Sequence, residues 1–119
     1  MSSSTFALLG RLLGAAAFGC ALTTACAVNC TADARSAFRV SVVDATGDRV
    51  CDATVIVRDG NFVSELTESS CVYFGAQERA GAYSLEVTRG LETKTVDGVK
   101  VSKDDCHVVT RELTVTMDH

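Results

Sequence analysis

From Arg79 to Gly90 the chain reads Arg-Ala-Gly-Ala-Tyr-Ser-Leu-Glu-Val-Thr-Arg-Gly, so that Tyr83, Leu85 and Val87 alternate with Ser84, Glu86 and Thr88. Successive side chains of an extended chain point to opposite faces, and alternation of this kind therefore specifies a strand with one apolar and one wet face. An apolar sheet face has to be covered by another layer. The remainder of the chain must supply that layer.

Further extended segments follow the same logic. Phe38-Arg39-Val40-Ser41-Val42 alternates and is followed by the turn formers Asp44-Ala45-Thr46-Gly47-Asp48. Cys51 to Arg58 and Phe62 to Leu66 flank Asp59-Gly60-Asn61, a hairpin signal because Asp-Gly suits the turns that match strand twist. Thr67 to Ser70 reads as a polar loop and Cys71 to Phe74 as a short strand. Glu92 to Val96 and Val99 to Val101 are weaker strands separated at Asp97-Gly98, Lys103 to Asp105 is a loop, and Val108 to Met117 is the last strand. About seven short strands, with a turn roughly every 8 to 12 residues and no helical stripe after the leader, predict an all-β, antiparallel Greek-key β-sandwich.

The 119 residues leave room for one domain. A formal charge of -4, without a basic run, lacks the phosphate neutralisation that nucleic-acid binding requires, and nucleic acid is excluded as an expected partner. The absence of tryptophan and proline leaves no argument for an aromatic sugar platform or a proline-rich docking segment.

The first residues form a separate unit. Arg11 precedes a small and apolar run from Leu12 through Cys20 to Val28, the pattern of a secretory signal. Leu12 to Ala25 would span about 21 Å as a helix, short of the ~30 Å hydrocarbon core. Phe6 to Val28 as an uncleaved anchor is the competing reading. Leu22-Thr23-Thr24-Ala25-Cys26 resembles a bacterial lipobox, in which small residues precede a cysteine that is lipidated and becomes the new amino terminus; Ala17-Phe18-Gly19-Cys20 is a weaker candidate. The organisation expected is residues 1–25 as signal peptide, 26–36 as tether and 37–119 as the domain.

Cysteine arithmetic favours lipidation of Cys26, because Cys30, Cys51, Cys71 and Cys106 then remain as an even set for two bridges. Processing at Cys20 would strand one thiol, and ordinary cleavage near Ala25 or Ala27 would release a free secreted protein. The four cysteines allow three connectivities. Cys51 and Cys71 precede strands that flank one hairpin, while Cys30 precedes the first strand and Cys106 the last, which favours Cys51 with Cys71 and Cys30 with Cys106. Without a Cys-x-x-Cys pair in an exported chain, disulfides are expected rather than thiolate chemistry.

The segments Val40-Ser41-Val42-Val43-Asp44-Ala45-Thr46-Gly47, Val50, Asp52-Ala53-Thr54-Val55 and Gly81-Ala82-Tyr83-Ser84-Leu85-Glu86-Val87 together resemble the carboxypeptidase regulatory-like domain, over roughly Ala37 to Met117. The resemblance implies a transthyretin-like, prealbumin-type β-sandwich and a non-catalytic extracellular module, and it names no ligand. Arg49 stands where that family usually has proline, and Gly90-Leu91 where it has a Gly-Tyr pair.

No residue set rises to a catalytic, cofactor or metal site. His107 and His119 lack the further ligands that zinc needs. Tyr73 and Tyr83 with the two histidines are the residue types that ligate iron in intradiol dioxygenases of similar architecture, but Tyr83 alternates with core residues. Asp44, Asp48, Asp52 and Asp59 lack a recognised calcium-loop spacing and read as turn carboxylates. The terminal Thr116-Met117-Asp118-His119 is unlike the Tyr-Arg-Gly-Ser end associated with hydroxyisourate hydrolysis. The expectation is a non-catalytic binding or structural module at a bacterial cell envelope, membrane-anchored by lipid, facing a protein or glycan partner; a small metal-dependent enzyme and a free secreted protein are the alternatives.

Overall fold

A computed structural model describes residues 30–119. The signal segment, Cys20 and Cys26 lie outside the described residues. Eight strands follow one another: β1 (Phe38–Val43), β2 (Thr54–Asp59), β3 (Phe62–Glu65), β4 (Thr67–Ser69), β5 (Val72–Gly75), β6 (Gly81–Arg89), β7 (Glu92–Val101) and β8 (Arg111–Thr116). They form two four-stranded sheets, ordered β4-β5-β1-β8 and β3-β2-β6-β7, packed as an all-β sandwich.

The alternation that marks Tyr83, Leu85 and Val87 places all three in the interior. Phe38, Val40 and Val42 of β1, Val55 and Val57 of β2, Val99 and Val101 of β7 and Tyr73 of β5 meet them there. The rings of Phe38 and Tyr83 cross between the sheets, edge to face, with centroids 4.8 Å apart. Met117, just past β8, is fully buried and donates its amide to the Val43 carbonyl at 2.8 Å.

Three features differ from the sequence expectation. Thr67–Ser69 is a strand rather than a loop, pairing with β5 although every one of its side chains is exposed. Glu92 to Val101 is one continuous strand. Opposite Ser84, between the pairs Tyr83–Val99 and Leu85–Val96, it accommodates both Asp97 and Gly98. Gly98 at φ 69° makes this a β-bulge, which absorbs the turn-like pair without ending the ladder. Finally, β8 runs parallel to β1 through six pairs from Phe38–Arg111 to Val43–Thr116, whereas every other pairing between strands is antiparallel. The first and last strands are joined by no hairpin, so no local turn forces them into opposite directions.

Two disulfides close the structure, Cys30–Cys106 with Cα atoms 5.2 Å apart and Cys51–Cys71 at 4.4 Å. The strand registers put them at opposite ends of the sandwich. Cys30–Cys106 sits where β1 and β8 begin and β7 finishes, and Cys51–Cys71 sits where β5 begins and β6 finishes.

Candidate functional site

At the Cys30 end, the segment leading into β1 docks on the loop between β7 and β8. The Glu78 carboxylate gathers three donors: the Arg35 amide at 2.8 Å, the Val108 amide at 3.2 Å and His107 Nδ1 at 2.6 Å. Its pKa is held below the ordinary carboxylate value, first by the histidine and then by the Arg35 amide. Asp104 accepts the amides of Cys106 and His107, which lower its pKa as well, and Asp104 in turn donates its own amide to the His107 carbonyl. This is how the chain keeps a nearly buried histidine at the sandwich end.

Thr31 Oγ1 lies 3.0 Å from His107 Nε2, so hydroxyl, imidazole and carboxylate stand in series. The arrangement has the order of a nucleophile triad. The Thr31 hydroxyl is also the foremost influence on the Asp33 carboxyl, whose pKa falls to about 2. The amides of Cys106, His107 and Val108 are all taken up by the Asp104 and Glu78 carboxylates. The network therefore works as a clamp on the incoming chain.

Beside it, Arg79 lies 3.9 Å over the Phe62 ring and bonds both the Asp59 carboxylate and the Tyr83 hydroxyl at 3.0 Å. The same hydroxyl donates to the Arg79 carbonyl at 2.7 Å, tying the chain back on itself at the entry to β6. A Cβ on Gly81 would run into the Asp59 carboxylate, so a larger residue at this corner would have to displace the Asp59 side chain that Arg79 holds.

The opposite end is built from turns. Asp44 Oδ1 accepts from the Thr46 amide, the Thr46 hydroxyl and the Asp48 amide, an Asx arrangement that lowers its pKa, foremost through the hydroxyl. Tyr73 is buried and its hydroxyl donates to the Val50 carbonyl and accepts the Ala53 amide, each at 3.0 Å, which pins both sides of Cys51-Asp52. Desolvation pushes its phenol pKa up. A shallow cleft lies between Asp52, the Arg89-Gly90-Leu91-Glu92 hairpin and Asp118-His119. Arg89 crosses it, bonding Asp52 at 3.0 Å and the His119 carbonyl at 3.2 Å, and Leu91 stands wholly exposed at its lip.

The structure separates the residues considered as metal ligands. The Tyr73 and Tyr83 hydroxyls lie at opposite ends, each bonded to backbone, as do His119 and His107. Asp44 and Asp48 share one turn, Asp52 pairs with Arg89, and Asp59 pairs with Arg79 at the other end. Among the described residues, Cys51, Glu68 and Cys71 bring ligand atoms within 4.8 Å of one another, but the two sulfurs are bonded together and thiolates are the ligating form. The sequence reading missed Glu78 and Arg79, whose partners come from distant loops and leave no local pattern.

Fold and ends together define a small, disulfide-stapled β-sandwich whose irregular segments gather at two poles. No family model matches the chain, and neither a curated protein nor a solved structure matches it.

Proposed function

We propose that this chain is an exported, non-catalytic binding module held to a bacterial membrane by lipid on Cys26. The observation that carries the reading is the pairing of Cys30, Cys51, Cys71 and Cys106 in two bridges, which fits an oxidising compartment and leaves Cys26 over for acylation. The two-sheet architecture also fits the resemblance to carboxypeptidase regulatory-like domains, which stands as part of the same proposal.

The Cys30–Cys106 bridge gives the anchor a direction. Three residues lie between Cys26 and Cys30, and the four steps of chain reach at most about 14 Å when extended. The pole bearing His107 and Glu78 would then face the bilayer. The turns at Asp44–Asp48, Ser70–Cys71 and Gly90–Leu91 would face outward, toward a protein or glycan of the envelope.

Labelled palmitate incorporation into the full chain, with and without Cys26→Ser, tests the anchor. Label lost in the variant supports it. Equal label in both, or none in either, removes it, the latter in favour of a free secreted protein. Metal analysis of the purified protein tests the non-catalytic reading, since stoichiometric iron or zinc would overturn it.

A further inference from the structure

The β4–β5 hairpin turns through two residues, Ser70 and Cys71, between the paired Ser69 and Val72. Both have positive φ, 53° and 63°. A two-residue turn of that kind favours Asn-Gly or Gly-Gly, because a side chain in the left-handed region crowds the following carbonyl. The other two tight hairpins put glycine at their positive φ, Gly60 between β2 and β3 and Gly90 between β6 and β7. Here no glycine is present.

Burial does not hold this hairpin closed. Thr67, Glu68 and Ser69 are all exposed, and β4 reaches the sheet through three pairings with β5. The Glu68 carboxylate on the Cys71 amide and Arg49 on the Ser70 carbonyl are exposed contacts. What remains is the bond to Cys51, which belongs to a segment that Tyr73 fixes from the core on both sides. An unfavourable turn is thus fastened covalently to a rigid point.

We propose that Cys51–Cys71 is a thiol-exchange site acting as a reducible clasp: reduction by a dithiol lets Ser70 and Cys71 leave the left-handed region and frees β4 from the edge of its sheet while the sandwich stays folded. Cys51 is exposed to solvent, open to attack by a dithiol's thiolate. Attack on Cys51 Sγ forms a mixed disulfide and expels Cys71 as a thiolate, which takes a proton. The reductant's second thiol then displaces Cys51, so two electrons and two protons enter the pair and the dithiol leaves as a disulfide. Leu66 before β4 and Val72 after it remain buried anchors, so opening is confined to the segment between them. Its consequence is a bare backbone edge along β5.

Hydrogen exchange of the full chain, read by mass spectrometry, tests this with the bridge intact, in Cys51→Ala/Cys71→Ala, and in Cys51→Ala/Ser70→Asn/Cys71→Gly. Protection of residues 67–74 should fall at least tenfold in the double variant, with β2 and β6 unchanged. The Asn-Gly variant should recover most of it without any bridge. Unchanged protection in the double variant, loss across all strands, or no recovery with Asn-Gly would each overturn the clasp.

Discussion

The two poles of the sandwich face the same difficulty and resolve it differently. At one, Ala76 and Glu78 hold positive φ without being glycine, 54° and 55°. Glu78 is kept there by reciprocal bonds with Arg35 and by the donors that converge on its carboxylate. At the other, Ser70 and Cys71 hold positive φ under a disulfide. A hydrogen-bonded clamp responds to protons, whereas a covalent clasp responds to electrons. The bridges differ in reach as well. Cys30–Cys106 spans 76 residues of sequence and Cys51–Cys71 spans 20, so by chain entropy the first contributes about 4.5 kcal/mol and the second about 3.3 kcal/mol. The second is further offset by roughly 1–2 kcal/mol for each left-handed residue it maintains.

The sharpest way to break this comparison is to remove the long bridge. Cys30→Ala/Cys106→Ala should lower the free energy of urea unfolding by about 4 kcal/mol, distinctly more than removal of Cys51 and Cys71. Equal losses would mean that the two bridges are equivalent. Tyr73→Phe comes next. It leaves the Val50 carbonyl and Ala53 amide without their buried partner and should cost about 1–3 kcal/mol by the same measurement.

Acid should act on one pole more than the other. The Glu78 carboxyl has its pKa lowered on folding, so its contribution is fully present above its ordinary value of 4.5 and is lost as pH falls through the lower folded value. Urea midpoints followed from neutral pH into the acid range should show this loss, and Glu78→Gln should flatten the slope. The smallest effect is expected at the cleft lip. Leu91→Ser should change stability by no more than about 0.5 kcal/mol, because the side chain is fully exposed. A larger change in thermal midpoint would show that the hairpin tip packs on something.

How much of this was legible depends on whether the signal was periodic. Tyr83, Leu85 and Val87, like Phe38, Val40 and Val42, announce their faces through alternation, and both sheets could be anticipated from such runs. Strand β4 could not, since Thr67-Glu68-Ser69 buries nothing and is a strand only because β5 offers it an edge. Asp97-Gly98 carries the composition of a turn and serves as a bulge, a distinction that depends on having β6 alongside. The bridge pairing was readable because each cysteine precedes a strand whose neighbours chain order suggests. The link between Glu78 and His107 was not, for it joins two loops brought together only by the packed sheets.

The bulge in β7 has a consequence for how copies of this protein tolerate crowding. Among the described residues that strand ends its sheet, leaving ten residues of backbone along an outer flank. An even ladder of that length would invite a second molecule to lie flush against it. The kink at Asp97 and Gly98 divides it into two short stretches, with Lys94 in one and Lys100 in the other, so neighbouring copies are denied a flat template for fibre growth.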